Sequence, residues 1–256
     1  MTPIATRARS TVIIGLTAKK SRDFMQIEDA MVQVVKKRCI VYIDAYNWYH
    51  ALFKHYPEWK WLNIQTFFEA LRPHEQIVAI KMFSAMLEPA SPENDAKARQ
   101  ERYFQALKTL PKVSIILGKF QPREVTCRAE CKRKYFVDEE KKTDVNMAVE
   151  IISDTIGSNC ESMCVVSGDS DIQPALEWVV TRYKSIKVAV YVPALAAEQS
   201  SRRLDYYRVQ GLPVDCRFLP LSDLKNHQFP HNVKLPDNNF VCRPHVWQTH
   251  KNAFPV

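Results

Sequence analysis

Short apolar runs alternate with stretches of helical periodicity along most of this 256-residue chain. The runs that resemble strands are residues 39–44, 76–84, 113–120, 162–166, 186–192 and 214–219. The stretches that resemble helices are residues 45–55, 63–71, 91–110, 144–156, 170–183 and 194–207. Strands separated by helices form a parallel sheet that is covered on both faces and joined by right-handed crossovers. The alternation therefore predicts an α/β fold.

Sequence outside this alternation divides the chain into three parts. We expect a flexible N-terminal extension over residues 1–36, one domain over 37–220, and an irregular C-terminal tail over 221–256. Inside the domain, residues 121–142 are polar, charged and poorly periodic, which predicts an excursion from the sheet. Cys127 and Cys131 lie in this excursion, but a structural zinc needs four ligands and no second Cys or His pair lies nearby. Their spacing favours thiols or a redox-labile pair over zinc.

The net charge and the cysteine content indicate which partners and which cellular compartment suit this chain. The formal net charge of +8 permits an acidic partner such as nucleic acid. Residues 1–38 hold eight Lys or Arg against three Asp or Glu, so five of the eight surplus charges lie in this stretch and only three in the other 218 residues. Seven cysteines, several inside predicted strands (Cys39, Cys164, Cys216), indicate reduced thiols and a cytoplasmic protein. No apolar run reaches the roughly 18 residues of a membrane span, so we expect no membrane partner.

Four aspartates follow or open the predicted elements. Asp44 ends the first strand, Asp169 and Asp171 follow the fourth, and Asp144 opens a helix. The carboxyl ends of the strands in an open α/β sheet form one edge where ligands bind, so we expect these acids to meet there. Carboxylates packed together repel one another and need a cation, and oxygen-only ligands suit Mg²⁺ or Mn²⁺. The sequence therefore predicts a divalent metal site.

Helix capping is the structural alternative for these acids. Asp44, Asp144 and either Asp169 or Ser170 stand where an acid or hydroxyl often caps a helix. Capping would explain one residue of the 167–171 motif but not both of its acids. The glycine of that motif permits a tight turn from strand to helix. We therefore favour a functional role for Asp169 and Asp171.

Polar residues beside the acids are candidate substrate contacts. Asn47 could hold Asp44, contact a phosphate or cap the following helix. Two lysines beside Asp144 could offset carboxylate charge, meet a phosphate or simply be solvated. The predicted substrate contacts are Asn47, Lys141, Lys142, Ser167 and Ser170.

Aromatic residues are dense in the twenty positions after Asp44. Such rings either stack on nucleic acid bases or pack in the core, and this density is more typical of core packing. The residues are Tyr46, Trp48, Tyr49, Phe53, Tyr56, Trp59 and Trp61.

Three motifs, taken in order, resemble those of the NYN-domain proteins of the PIN-like nuclease superfamily, in their bacterial LabA-like or uncharacterised branch. They are Ile-Asp-x-x-Asn at 43–47, Lys-x-x-Asp-Val-Asn at 141–146 and Ser-Gly-Asp-Ser-Asp at 167–171, and the resemblance covers roughly residues 37–220. It implies a Rossmann-like (PIN-like) three-layer αβα domain with a mainly parallel sheet of about five to six strands. Relatives often carry Cys-x-x-Cys in the excursion, where this chain has one residue more.

The resemblance also implies a function. It assigns the family's acidic, catalytic and metal-binding positions to Asp44, Asp144, Asp169 and Asp171, and the following polar position to Asn47. The expected activity is a ribonuclease that uses Mg²⁺ or Mn²⁺, acts on RNA or DNA, and leaves a 3′-hydroxyl and a 5′-phosphate. The sequence is compatible with a homodimer.

Two other classes of protein share features of this sequence. The main alternative is a catalytically silent RNA-binding or regulatory module on the same scaffold, since an intact acid set does not prove turnover. A phosphohydrolase of the haloacid-dehalogenase type also begins with an aspartate at a strand end. That chemistry needs a second aspartate two residues later, where this chain has Tyr46, so this alternative is disfavoured.

Overall fold

The computed structural model describes residues 36–87, 95–127, 131–194 and 212–248. Several predictions lie wholly or mainly outside the described residues. They are the extension over residues 1–36, the start of the helix predicted from residue 91, most of the helix predicted over 194–207, and the last eight residues of the tail.

The described strands form one large sheet and two small ribbons. They are β1 (Lys37–Asp44), β2 (Glu75–Ser84), β3 (Val113–Leu117), β4 (Lys119–Thr126), β5 (Lys134–Lys141), β6 (Ser162–Val166), β7 (Lys187–Val192), β8 (Val214–Phe218), β9 (Asn232–Lys234) and β10 (Phe240–Cys242). The large sheet is parallel throughout, with the order β3-β2-β1-β6-β7-β8. The order reverses between β1 and β6. Such a switch point opens a crevice at the carboxyl ends of the strands, where ligands bind.

Helices cover both faces of this sheet. They are α1 (Ala45–Trp48), which continues into a π-helical turn (Tyr49–Phe53), α2 (Ile64–Leu71), α3 (Ala96–Leu107), α4 (Thr143–Ile156) and α5 (Gln173–Arg182). Short 3₁₀ turns occupy Pro57–Trp59, Leu224–His227 and His245–Trp247. None of the described helices is both long enough and apolar enough to cross a bilayer.

Two apolar clusters, one on each face of the sheet, form the core because successive side chains of β1 alternate between its faces. Cys39, Val41 and Ile43 pack with residues of α1, α2 and α3, whereas Ile40 and Tyr42 pack with residues of α4 and α5. All five side chains are at most 2% exposed. The predicted three-layer αβα architecture with its parallel sheet is confirmed.

Residues that follow β8 add to the first cluster. Leu224, Phe229 and Trp247 are buried there, and β9 pairs with β10 as an antiparallel ribbon that contributes Val233 and Val241. The Trp61 indole N–H also donates to the carbonyl oxygen of Pro230 at 2.8 Å. The segment after β8 therefore closes over the layer that holds α1, α2 and α3.

The predicted third strand ends earlier than expected, at Leu117. After Gly118 the chain leaves the large sheet, and β4 pairs with β5 as a separate antiparallel ribbon. This ribbon accounts for most of the predicted excursion. Most of its described side chains are exposed, with Phe136 at 69% and Tyr135 at 49%. Because these side chains are not buried in a core, their sequence lacks the apolar alternation that reveals a half-buried strand.

Helix α4 is held partly by a buried polar network. Two residues of the apolar stripe that predicted the helix, Val145 and Val149, are 66% and 58% exposed. On the buried face, Asp154 Oδ2 accepts hydrogen bonds from the Tyr42 hydroxyl at 2.7 Å and from Lys81 Nζ at 2.6 Å. These bonds join α4 to β1 and β2 and thereby fix the helix whose first turn carries the second acidic motif.

The cysteines expected in strands are buried thiols. Cys39, Cys164 and Cys216 are buried, while Cys131 is exposed and Cys127 is partly exposed. None of the seven cysteines, all of which lie at described positions, forms a disulfide.

Candidate active site

The candidate site lies at the switch point of the sheet, where β1 and β6 end side by side. Ile43 pairs with Val166 in parallel register, so Asp44 and Ser167 follow at the ends of neighbouring strands. Both side chains are buried, at 4% and 1% exposure. The crevice at the carboxyl edge of the sheet therefore begins at these two residues.

Two hydrogen bonds hold the carboxylate of Asp44. Its Oδ1 accepts from the backbone N–H of Asn47 at 2.9 Å, and its Oδ2 accepts from the Ser167 hydroxyl at 2.9 Å. The first bond caps α1, so the capping interpretation is correct for Asp44. Each carboxylate oxygen has more than one acceptor site. Capping therefore leaves Asp44 able to bind a cation as well.

The loop after β6 is tied to the corner after β1. Asn47 Oδ1 accepts from the Gly168 N–H at 3.0 Å, and Ser167 Oγ accepts from the Asp169 N–H at 3.0 Å. A Cβ at Gly168 would lie 3.3 Å from Asn47 Oδ1, so glycine permits this close approach. Asn47 and Ser167 thus position the loop, and their contact with substrate stays a prediction.

Asp169 and Asp171 form a turn ahead of α5. The Asp171 N–H donates to Asp169 Oδ1 at 3.0 Å, which is the pattern of an Asx turn. Helix α5 was expected from Ser170 but begins at Gln173, and its N-cap residue, Ile172, makes no side-chain cap. Ser170 and Asp171 are exposed. Capping of α5 accounts for neither acid.

Asp144 stands in the first turn of α4 without capping it. The N-cap position belongs to Lys142, which has a left-handed φ of 77° and makes no side-chain cap. The capping interpretation is therefore wrong for Asp144. Lys141 and Lys142 are both exposed beside it, and their contact with a phosphate stays a prediction.

The charges of neighbouring aspartates act on Asp44 and on Asp144. Burial is the main cause that raises the pKa of Asp44 to about 6, and the charges of Asp144 and Asp169 add to it. Partial burial, followed by the charges of Asp169 and Asp171, raises the pKa of Asp144. Acids from three separate segments of the chain therefore lie within one region of negative potential.

The donor chemistry of this group fits a hard divalent cation. Carboxylate oxygens suit Mg²⁺ or Mn²⁺, and a bound cation would offset the carboxylate repulsion that adds to the effect of burial on these pKa values. Across the four described ranges, no three Asp, Glu, His or Cys side chains converge closely enough to hold a metal ion as they stand. Mg²⁺ is usually held by one or two carboxylates, with water and substrate phosphate as its other ligands. The fit therefore does not require a preassembled cage.

Gly118, which links β3 to β4, is a residue of the site that the sequence did not reveal. A Cβ at this position would lie 2.5 Å from Thr143 Oγ1 and 2.6 Å from the carbonyl oxygen of Lys141. Both contacts belong to the junction of β5 and α4, directly before Asp144. The one available signal was scarcity, because the chain has only five glycines and an isolated glycine beside a strand often marks a close backbone approach.

Replacing Gly118 with alanine should lower the free energy of unfolding by about 1–3 kcal/mol, because a methyl group cannot fit without moving the backbone before Asp144. Urea unfolding would measure the change. Gly157→Ala is the matched control: its φ is −70°, and the nearest atoms to a Cβ belong to the Asn159 side chain, at 3.1 Å or more. Equal losses of stability in the two variants would contradict the packing role of Gly118.

Comparison with known proteins places this arrangement in a family. The family described as NYN domain matches residues 38–210. The 6-hydroxy-3-succinoylpyridine 3-monooxygenase HspA of Pseudomonas putida (strain DSM 28022 / S16) is 28% identical in an alignment of 195 residues that covers 64% of this chain. The chain spans 62% of that relative's length. A crystal structure of a protein of unknown function from Vibrio parahaemolyticus is 18% identical, covers 73% of this chain and 95% of its own, and gives a TM-score of 0.46. Because the family match extends over more than half of the sequence, the chain belongs to the NYN domain family.

Proposed function

We propose that the chain is a metal-dependent ribonuclease whose metal-binding carboxylates are Asp44, Asp144, Asp169 and Asp171. The main support is that burial, and then the charges of neighbouring aspartates at the switch point, raises the pKa of Asp44 and of Asp144. Concentrated negative charge would repel an RNA phosphate unless a cation came between them. Membership of the NYN family, with its PIN-like nuclease relatives, supports the same chemistry.

Each residue has a distinct part in this proposal. Asp44 is the fixed ligand, because the bonds from Asn47 and Ser167 orient its carboxylate. Lys141 and Lys142 are exposed beside the acids, where their positive charge attracts the RNA backbone. A bound Mg²⁺ or Mn²⁺ supplies an acidic water and stabilises charge on the phosphate oxygens.

The test is metal-dependent cleavage of nucleic acid. The purified chain is incubated with a mixed RNA pool, and in parallel with a single-stranded DNA pool, in Mg²⁺, in Mn²⁺ or in EDTA. We expect RNA cleavage with either metal and none in EDTA, with products that carry 5′-phosphates. Intact RNA in all three conditions, or cleavage that EDTA leaves unchanged, would contradict the proposal.

A second candidate is a catalytically silent RNA-binding module on the same scaffold. It is favoured by one observation, which is that no three acids in the described part of the chain converge as a metal cage. This candidate predicts that RNA binds without being cut at any metal concentration. A gel-shift measurement on the same RNA pool, run beside the cleavage assay, separates the two functions.

Location in the cytoplasm is part of the proposal. It is supported by the buried thiols of Cys39, Cys164 and Cys216, which are typical of proteins kept in a reducing compartment.

A further inference from the structure

A cavity of about 480 Å³ opens beside the candidate site. It begins at Ala45 and Tyr46, directly after Asp44, and reaches Ser84 at the end of β2. These residues belong to the carboxyl edge of the sheet, on the side of β1 away from β6. The volume lies within the range of small-ligand sites, about 300–1,000 Å³. The cavity is therefore large enough for one small molecule or one nucleotide.

Aromatic side chains from several elements line this cavity. Flat rings offer stacking and edge contacts to a flat ligand, and base–aromatic stacking of this kind contributes about 1–3 kcal/mol per base. The main aromatic residues of the wall are Trp48, Tyr49, Phe53, Tyr103, Phe104 and Trp247. Tyr49 is 42% exposed, so its ring is accessible to a ligand.

Positive charge accompanies these rings, and none of the described residues that line the cavity is an acid. Lys60 Nζ lies 4.7 Å from the ring centroid of Tyr49 and 5.9 Å from that of Trp247. Arg99 of α3 lines the same space. Burial, and then the charge of Arg99, lowers the pKa of Lys60. Neither cation forms an ion pair with any residue that the structure describes. An anion that entered the cavity would therefore meet two partly buried cations, with no carboxylate among the described lining residues to compete with it.

We propose that this cavity binds a flat aromatic ring that carries an anionic group. The rings of the wall hold the ligand ring, and Lys60 and Arg99 hold its charge. A nucleotide of an RNA strand and a free aromatic carboxylate both have this chemistry. Binding here goes beyond the proposed function, because it requires neither a metal ion nor hydrolysis.

The test is to titrate small-molecule probes into the full chain in EDTA. Binding is measured by calorimetry and by the change in tryptophan fluorescence, since Trp48 and Trp247 line the cavity. The probes are adenosine 5′-monophosphate and pyridine-3-carboxylate. Adenosine supplies a ring without charge, and inorganic phosphate supplies charge without a ring. We expect at least one ring anion to bind, and adenosine and phosphate to bind at least about tenfold more weakly, because each keeps only half of the contacts. The ring anion that binds identifies the source as nucleic acid or small molecule.

Three variants locate the site. Lys60→Gln and Arg99→Gln should each weaken binding of the ring anion by about tenfold or more, because each removes a charge-assisted contact. Arg102→Gln is the matched control, since Arg102 is exposed on the same helix and does not line the cavity. Thermal unfolding of each variant verifies the fold.

Three results would overturn this proposal. They are no binding of either ring anion, equal binding in all three variants, and phosphate binding as tight as that of the ring anions. The two proposals fail separately. If the chain does not cut RNA in the cleavage assay but binds the probes as expected, the nuclease proposal is contradicted and the binding proposal is supported.

Discussion

Replacing Asp169 with asparagine should reduce metal-stimulated RNA cleavage by more than about a hundredfold, because charge stabilisation at a metal site contributes several kcal/mol. The fold should persist, since an asparagine oxygen can still accept the hydrogen bond that Asp169 Oδ1 receives from the Asp171 N–H. The substitution also removes one of the charges that raise the pKa values of Asp44 and Asp144. The metal-free variant should therefore be slightly more stable than the parent chain at neutral pH. Single-turnover cleavage of a labelled RNA and urea unfolding measure the two effects.

Asp215→Asn is the matched control for this substitution. Asp215 is an exposed acid on β8, and its ion pair with Arg217 at 2.7 Å lies at the surface, where such pairs contribute little to stability. Cleavage should be unchanged in that variant. If highly purified Asp169→Asn protein cut RNA at the parent rate, Asp169 would have no role as a metal ligand.

Without metal, stability should fall by about 3 kcal/mol as the pH rises from about 4 to above 6, because of Asp44 alone. The pKa of this carboxyl is raised from 3.8 to about 6, mainly by burial. Below the lower value the group is protonated in both the folded and the unfolded state, and its contribution to stability is fully present. Between the two values the unfolded chain releases the proton first, which favours unfolding. Above the pKa of the folded state, Asp44 is ionised in both states and the loss of stability is complete.

Urea unfolding in EDTA across this pH range, compared with Asp44→Asn, isolates the contribution of Asp44. The variant cannot ionise at this position, so its stability should lack the fall seen in the parent chain. Groups outside the acidic cluster titrate equally in both proteins and cancel in the comparison, whereas Asp144 and Asp169 also lose the charge of Asp44 in the variant. Mn²⁺ should restore much of the lost stability above pH 6, because a cation favours the ionised carboxylate. Identical pH profiles for the two proteins would show that Asp44 is not held in the buried state described here.

The sequence predicted the sheet well where strands are buried on both faces. The strand at residues 162–166 was predicted with the bounds that β6 has, because an uninterrupted apolar run leaves few alternatives. The sequence did not predict β4 and β5, because the two strands of this ribbon show no alternation of apolar and polar residues. It also placed the start of α5 too early, since the backbone at Asp169–Asp171 forms an Asx turn before the helix begins.

The acids of the candidate site could be found from their places after strands, but their partners could not. Asn47 donates its backbone N–H to Asp44, while its side-chain oxygen accepts from the Gly168 N–H. The spacing of residues in the sequence does not predict this geometry. The sequence also predicted the burial of the aromatic residues after Asp44 only in part. Trp48 and Trp61 are core residues, as their density suggested, whereas Tyr46 and Tyr49 are 46% and 42% exposed. Tertiary packing separates the two groups, since Trp48 contacts Phe67 and Phe68 of α2 and Trp61 contacts Tyr103 of α3.

The hydrogen bond between Asp44 and Ser167 joins residues 123 positions apart in the chain. Closing so long a loop costs entropy that is recovered only when β1 and β6 pair. During synthesis, Asp44 therefore leaves the ribosome long before Ser167 has been made. A nascent or truncated chain that stops short of β6 has no assembled crevice, so whatever chemistry these acids perform begins only once translation has passed the third motif.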